Sequence, residues 1–203
     1  MFTVKKYVSG FNGQILDPDR INALAVKFVD AFEKRGDSLY ITKLLKLFFY
    51  FDFVSYKNQE KPFTGDIYFK LPYGPIPSFI KEQLDLLKKE NDENEELKDF
   101  ELKSIFAKYL ETKKDEGTKG HTLKIREGAD IPRENFEDYF SDGDNELLSA
   151  IVKAFDGKNV REVVAMTHQE VPYVKVKWDT GIIDYLLAFD KDFPKALPNY
   201  RSV

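Results

Sequence analysis

The sequence predicts a mainly α-helical domain with a small β element (α+β), built as a compact bundle around a central aromatic helix. Three observations lead to this fold class. Apolar residues recur every three to four positions in several segments, and the segment around Phe48 is apolar around most of its circumference. Strand patterns are confined to about 65–70 and 121–127. Because no repeat or linker divides the 203 residues, we expect one domain over 1–190 and an extended tail over 191–203.

Composition narrows the functional classes before any motif is considered. The chain has 18 Phe and 11 Tyr, which predicts a core rich in aromatic side chains. A formal net charge of −4 argues against nucleic acid as the main partner, because phosphate binding needs a concentrated positive field. A sequence without cysteine excludes disulfides, a thiolate nucleophile and a Cys-ligated zinc site.

The predicted location is the cytoplasm. The segment MFTVKKYVSG lacks the apolar run of a signal peptide. The most apolar segment, LLKLFFYFDFV, is too short to span a bilayer and contains Lys46 and Asp52. We therefore expect a soluble protein without a membrane partner, and the lack of cysteine fits a reducing compartment.

Two consecutive helices are predicted near the start of the chain. The first follows LDPDR, where Asp17 can cap the helix and Pro18 suits its first position, and Gly36 ends it. The second runs from Ser38 to about Lys57, and its wide apolar surface is typical of a helix at the centre of a domain. Its few polar positions form a narrow stripe that we interpret as a solvated face: Lys43, Lys46, Tyr50 and Lys57. The alternative is that the three lysines of the stripe steer an acidic partner by raising the association rate.

The segment GDIYFKLPYGPIP, residues 65–77, combines a strand with unusual punctuation. Strand-forming residues at 67–69 are followed by prolines and a Tyr-Gly pair that end the strand quickly. We predict a corner that turns the chain into a third helix, from Ser78 to about Lys89. Since proline and glycine restrict the backbone in different ways, the corner is a structural turn, a rigid rim for a partner, or both.

The second half of the chain alternates loops, one strand and further helices. The charged run at 90–101 is predicted to be solvated, and a helix is predicted over 100–110. HTLKIRE alternates like a strand, and residues 128–141 look irregular. The later predicted elements are a helix ending at Gly157, a helix capped by Asn159 that the chain leaves through Pro172, and a short apolar helix or strand at 181–190.

Three segments stand in a distinctive order. The first is KLLKLFFYFDFVSYKNQEKPFTGDIYFKLPYGPIPSFI, the second is GHTLKIRE with the helix of 144–156, and the third is NVREVVAMTHQEVPY. Together they resemble the Panacea domain, the SocA-like antitoxin family, over about residues 20–178. The most specific part is a lysine-leucine-leucine aromatic helix followed by Gly-Asp and Tyr-Gly-Pro. The resemblance implies a single Panacea-like domain, and it transfers no catalytic residue.

The resemblance also implies a function: the antitoxin of a type II toxin–antitoxin pair, prokaryotic or phage-encoded, that neutralises a cognate protein toxin by direct binding. The alternative is an adaptor that delivers a partner to a cytoplasmic protease, for which the tail after Asp190 could serve. An enzyme has little support, because the sequence has two His, no Gly-rich phosphate loop and no close carboxylate pair on one face. A DNA-binding repressor has less, since no helix is rich in Arg and Lys. We expect no cofactor and no metal.

Candidate partner-binding residues lie on and around the corner and on the later strand. An interface needs aromatic and Arg anchors near its centre, and a stiff loop loses little entropy on binding. The candidates are Tyr68, Tyr73, Gly74, Pro75, Phe79 and Arg126.

A second set of residues is predicted to be structural, and it consists of Asp52, Gly65, Asp66, Pro77, His168 and Glu170. Asp52 falls inside the apolar arc of the central helix, where an unpaired charge is costly. We expect it to be a buried acceptor for the amides of 73–76, or to pair with a basic side chain. The alternative is that the helix has reached the surface by this point.

His168 is predicted to lie at a helix C-terminus, where it can bond local carbonyls and favour the negative end of the dipole. His168 and Glu170 are two positions apart and point to different sides of a helix, which argues against shared metal ligation. A metal site would require His121 and His168 to converge in space with Asp66 or Glu170.

Overall fold

One helix, α2 (Ile41–Gln59), runs through the middle of the protein, and the other elements pack around it. Every residue of α2 from Lys43 to Tyr56 is buried, so the helix is enclosed on all sides. This confirms the predicted fold class, mainly α with a small β element around a central aromatic helix. The computed structural model describes residues 10–91, 103–118, 120–177, 181–198 and 200.

Further helices begin where the side-chain caps predict. Asp17 accepts hydrogen bonds from two amides at the start of α1, and Asn159 does the same at the start of α6. In the described part of the chain the other α-helices are α1 (Pro18–Glu33), α3 (Ser78–Asn91), α4 (Arg133–Glu137), α5 (Asp142–Phe155), α6 (Val160–Thr167) and α7 (Val171–Lys175). Short 3-10 helices occupy Phe11–Gly13, Ile105–Lys108 and Tyr185–Phe189.

Two small antiparallel sheets contact α2. The described strands are β1 (Leu39–Tyr40), β2 (Tyr68–Leu71), β3 (Gly74–Pro77), β4 (Leu110–Lys114), β5 (His121–Ile125) and β6 (Ile182–Ile183). The first sheet has the order β1–β5–β4, and the second has the order β3–β2–β6. In the second sheet Phe69 pairs with Ile76 of β3 and with Ile182 of β6, so β2 is its central strand.

Aromatic side chains of α2 join the helix to the segments around it. The ring of Phe53 stacks on that of Tyr185 with centroids 4.5 Å apart, and Phe51 meets Phe63 edge to face at 4.9 Å. Phe63 in turn stacks on Phe140 at 4.9 Å. Each such pair adds about 0.5–1.5 kcal/mol beyond the burial of its area. Aromatic residues, which make up 15% of the chain, therefore form much of the core, as predicted.

The polar stripe predicted for α2 is not a solvated face, and this interpretation was wrong. Lys43, Lys46 and Tyr50 are all buried. The Lys43 amine donates to Asp37 Oδ2 at 2.8 Å, and the Lys46 amine donates to the Pro75 carbonyl at 2.8 Å. Because other segments cover these positions and supply their partners, the polar side chains can lie inside the protein.

Several element boundaries differ from the predicted ones. Leu39 and Tyr40 pair with β5 and so precede α2 instead of forming its first turn. The described part of the helix predicted over 100–110 is a 3-10 turn followed by β4, and α4 lies within the stretch expected to be irregular. Pro172 sits in the first turn of α7, where its missing N–H is tolerated, so the chain forms another short helix there. Residues 92–101 of the acidic run lie outside the described residues.

The segment 191–198 packs against the domain. Phe193 and Leu197 are buried, and two consecutive amides of this segment donate to the Glu170 carboxylate at 3.0 and 2.9 Å. The described part of the predicted tail therefore contributes to the core. The domain boundary at residue 190 stays a prediction.

Candidate functional site

The segment predicted to be a corner is a β-hairpin with an exposed tip. β2 and β3 pair as far as Leu71 and Gly74, and Pro72 and Tyr73 connect them. Tyr73 is 73% exposed and Leu71 is 42% exposed. The prediction of a direct turn into the third helix was wrong, because the Gly-Pro-Ile-Pro segment forms β3 before α3 begins. The hairpin presents two neighbouring apolar side chains to solvent.

Gly74 is required where the tip meets the body of the protein. Its φ of +94° lies in a region that side chains with a Cβ rarely adopt. A Cβ at this position would lie 2.7 Å from Thr167 Oγ1 and 3.1 Å from Lys46 Nζ. Any other residue would therefore push the hairpin away from α2 and α6.

Polar side chains hold the tip in place. The Tyr173 hydroxyl donates to the Leu71 carbonyl at 3.0 Å, and the Lys46 amine donates to the Pro75 carbonyl. Lys70 Nζ lies 4.7 Å from the centre of the Tyr173 ring. Burial lowers the pKa of Lys46 to about 7, so near neutral pH its amine is only partly charged. A loop anchored in this way has little conformational entropy left to lose on binding.

His168 supports the tip from below. It is the C-cap of α6, and its ring stacks on Tyr173 with centroids 4.6 Å apart and planes inclined by 6°. Burial lowers the pKa of His168, and the charges of Lys46 and Lys70 lower it further, whereas a backbone hydrogen bond with Pro72 raises it. The neutral imidazole is therefore favoured, and it forms a flat support beneath the hairpin.

The root of the hairpin is fixed by Asp66. Its carboxylate accepts hydrogen bonds from the amides of Phe79 at 3.1 Å and Ile80 at 2.9 Å, in the first turn of α3. Burial raises the pKa of Asp66 to about 6, although these amides lower it, and the charge of Asp52 raises it further. Asp66 thereby ties the start of β2 to the start of α3.

Asp52 is a fully buried acceptor, but its donors are not the predicted ones. The amide of Thr64 donates to it at 2.6 Å, the hydroxyl of Thr64 donates to its other oxygen, and the Tyr68 hydroxyl donates at 2.9 Å. The Tyr185 hydroxyl lies 3.4 Å from the same carboxylate. Burial raises the pKa of Asp52, and these hydrogen bonds oppose the rise. The predicted donors at 73–76 lie at the far end of the hairpin.

A largely apolar groove of about 650 Å³ opens beside the hairpin tip. A second concavity of about 540 Å³ adjoins it and shares six lining residues with it, among them Ile41 and Arg161. We call the two together the tip groove. Its apolar lining includes Leu45, Leu71, Tyr73, Ile76, Val160 and Val164.

Charged side chains line the edges of the tip groove. On α3, Lys81 and Lys88 both pair with the Asp85 carboxylate, and the contact to Lys88 Nζ is 2.5 Å. On α6, Arg161 is exposed. The Lys, Arg, Asp and Glu residues that line the tip groove are thus three cations and one carboxylate, a local excess of positive charge on a chain whose net charge is −4.

Only part of the predicted contact set is accessible. Tyr73 is exposed at the tip, but Tyr68, Gly74 and Pro75 are buried. Tyr68 faces the core because its hydroxyl bonds Asp52. Tyr68, Gly74 and Pro75 are buried and pack within the hairpin region in this structure, and a contact role for them stays a prediction.

Phe79 and Arg126 do not line the tip groove. Phe79 is half-buried and packs against the core, and Arg126 follows β5, with its guanidinium 3.5 Å from the Leu110 carbonyl. A binding role for these two residues stays a prediction. Two predicted structural residues lie in the hairpin region: Gly65 has a φ of +76°, and Pro77 ends β3 opposite Tyr68.

The residues considered for a metal site do not converge. His121 and His168 both line the tip groove, whereas Asp66 caps α3. Glu170 is buried and accepts hydrogen bonds from the Tyr50 hydroxyl at 3.1 Å and from the C-terminal segment; burial raises its pKa, and these donors lower it. In the described ranges no three His, Asp or Glu side chains are grouped to hold a metal ion.

The contribution of α6 was not predicted from the sequence. Val163 and Thr167 face the core, while Val160 and Val164 remain partly exposed and line the tip groove. The available signal was the width of the apolar face, since six apolar or small positions on an eight-residue helix exceed what one-sided packing needs.

The model of one family, described as antitoxin SocA-like, Panacea domain, matches residues 44–173, more than half of the chain. The chain belongs to the Panacea family of SocA-like antitoxins. Searches of curated proteins and of solved structures find no match.

The Panacea match covers most elements that form the site. It begins within α2, includes β2, β3, α3 and α6, and ends at Tyr173, which holds the hairpin tip. Membership in the Panacea family supports an antitoxin role and a toxin as partner. None of the helices that the structure describes has the length and apolar character needed to cross a membrane.

Proposed function

We propose that this Panacea protein is a non-enzymatic antitoxin of a type II pair that neutralises a cognate protein toxin in the cytoplasm by direct binding. The contact surface in this proposal is the hairpin tip together with the tip groove. Three elements of the matched region, α2, α3 and α6, supply the walls of that groove.

One observation carries this proposal: an exposed aromatic side chain stands on a loop that the rest of the protein holds rigidly. Tyr73 is 73% exposed, and hydrogen bonds from Tyr173 and Lys46 fix the backbone on both sides of it. Aromatic residues at preorganised positions are typical binding anchors, because they bury a large area at a low entropic cost.

The proposal is tested by co-expression with the product of the adjacent open reading frame. The expected result is that this product arrests growth when expressed alone, that growth recovers with the antitoxin, and that the two proteins co-purify. A non-toxic product, or recovery of growth without any complex, contradicts neutralisation by direct binding.

Substitution of Tyr73 then tests whether the hairpin tip belongs to the toxin-binding surface. Tyr73→Ala should weaken toxin binding by about 30-fold or more, as expected for an aromatic anchor worth about 2 kcal/mol. Leu186→Ala is the matched control, because Leu186 is also an exposed apolar residue, 59% exposed, on a segment outside the tip groove. Equal affinities for a folded Tyr73→Ala protein and the wild type would remove the tip from the interface.

The protease-adaptor alternative needs a different experiment from removal of the tail. Deleting 191–203 would take away the buried Phe193 and Leu197, so it would disturb folding as well as any adaptor function. The toxin half-life is instead measured with and without the intact antitoxin, in a protease-proficient and in a protease-deficient strain. An adaptor shortens the half-life only in the first strain, whereas direct inhibition leaves the half-life unchanged in both. Neutralisation that persists without the protease favours direct inhibition.

A further inference from the structure

The tip groove has the lining and the charge of a site for one class of polypeptide. We propose that it holds a segment of the toxin in which acidic side chains lie beside apolar ones. This inference rests on the proposed function, and it adds the chemical character of the partner's contact segment.

Apolar side chains line the tip groove from its floor to the hairpin tip. Leu45 and Ile76 close the floor of the tip groove, and Val160 and Val164 of α6 line it. Tyr73 overhangs it from the hairpin. Apolar side chains of a partner would gain free energy by leaving water here, at about 25 cal/mol for each Å² that they bury.

The extent of the groove favours a polypeptide over a small ligand. The two concavities share six lining residues, so they form one trough from the hairpin tip to the turn near Thr118 and Asn159. The trough is bounded by separate elements along its length and is open to solvent. A small ligand would fill one concavity, whereas a chain segment can follow both.

The positive charges along the tip groove favour a partner segment in which acidic side chains lie beside the apolar ones. Lys81 and Lys88 share the single carboxylate of Asp85, which leaves a net positive charge on the α3 side. Arg161 adds a second positive charge from α6, and its guanidinium has no ion-pair partner among the residues that the structure describes. Because complementary charges steer encounter and suppress wrong partners, carboxylates at the ends of an apolar segment fit this groove. The apolar floor favours a protein segment over nucleic acid.

The first arm of the test identifies what lies in the groove. The photo-crosslinker p-benzoylphenylalanine is placed at Val164 or, as the control, at Leu186, in the full-length antitoxin bound to the product of the adjacent open reading frame. The expected result is a crosslink from Val164, and none from Leu186, to a toxin peptide that contains apolar residues and two or more Asp or Glu. A crosslink to a basic peptide, to nucleic acid, or from Leu186 alone overturns the inference.

The second arm measures the contribution of charge. Arg161→Glu should slow association about tenfold at low salt, and the difference should shrink as salt is raised. Arg133→Glu is the matched control, because Arg133 is also exposed and also lies in the first turn of a short helix. In both variants the new Glu interacts favourably with the helix dipole, so the two substitutions should affect their helices alike. Equal association rates for Arg161→Glu and wild type overturn the charge argument.

The outcomes separate this inference from the proposed function. If the toxin binds and is neutralised but neither arm gives the expected result, the inference fails and direct neutralisation stands. If the wild-type antitoxin does not bind the adjacent product, the proposed function fails, and the inference falls with it.

Discussion

Burial of Lys46 makes the stability of this protein depend on pH in a way that one substitution removes. The side chain is fully buried, its amine donates to the Pro75 carbonyl at 2.8 Å, and burial lowers its pKa from 10.5 to about 7. Between these two values the unfolded chain holds a proton that the folded chain has lost. Stability therefore rises with pH in this window and is lost as the pH falls toward 7.

The magnitude follows from the size of the shift. A group that is protonated only in the unfolded state changes the free energy of unfolding by about 1.4 kcal/mol per pH unit. Lys46 alone should therefore add about 2–3 kcal/mol between pH 7.5 and 9.5. Measurements stop at pH 9.5 because Tyr50, Tyr68 and Tyr185 have raised pKa values, and the tyrosines of the unfolded chain ionise first above that point.

The assay is urea unfolding of wild type and Lys46→Met at pH 7.5, 8.5 and 9.5. Methionine is unbranched like lysine and is shorter only by the terminal amine, so Lys46→Met should lack the gain of about 2–3 kcal/mol that the wild type shows. Lys153→Met, the same change at an exposed position, should keep the wild-type slope. Parallel slopes for wild type and Lys46→Met would refute the reasoning, because the buried amine would then not be the group that titrates.

Three further substitutions test the support of the hairpin and of the C-terminal segment. Gly74→Ala should lower the free energy of unfolding by about 2–4 kcal/mol in thermal unfolding, since the φ of Gly74 is positive and a Cβ would lie 2.7 Å from the Thr167 hydroxyl. Gly157 also has a positive φ but has open space around it, so Gly157→Ala should cost only about 1–2 kcal/mol, and equal costs would contradict the steric argument. Burial raises the pKa of Asp66 to about 6, so the contribution of Asp66 to stability is largest near pH 4 and is lost as the pH rises through 6. In urea titrations Asp66→Asn should reduce this loss of stability between pH 4 and 6, and an unchanged pH profile would contradict the assignment to Asp66. Glu170→Gln should speed hydrogen exchange of the Lys195 and Ala196 amides about tenfold, and unchanged exchange would show that other contacts hold this segment.

Local signals in the sequence predicted the longer helices well, although α4 and α7 were missed. Asp17 and Asn159 cap the helices that were expected after them, because a cap depends only on residues within the same turn. The central position of α2 was also predicted, since apolar residues on nearly all sides of a helix leave it no solvated face. Both conclusions rest on interactions or patterns contained in one segment.

The errors arose where the deciding partner is distant in sequence. Lys46 was assigned to a solvated stripe because the carbonyl that accepts its hydrogen bond, that of Pro75, is 29 positions away. β3 was missed because its two prolines argue against a strand. They are tolerated there because β3 is at the edge of its sheet, where a proline need not donate to a second neighbour.

The candidate site was predictable only in outline. The exposed Tyr73 follows from its place between Pro72 and Gly74, where a turn must reach the surface. The opposite burial of Tyr68 does not follow, because alternation along a strand shows that two faces differ and not which one packs inward. The tip groove requires the relative placement of the hairpin, α3 and α6, and no single segment contains that information.

The central claim is that the toxin binds the hairpin tip and the tip groove, and hydrogen–deuterium exchange of the complex tests it most directly. We expect slower amide exchange on toxin binding in 71–76 and in 160–168, with no change in 182–189, a segment outside the tip groove that exposes Ile182, Leu186 and Phe189. Protection confined to 182–189, with exchange at the tip and α6 unaltered, would contradict it.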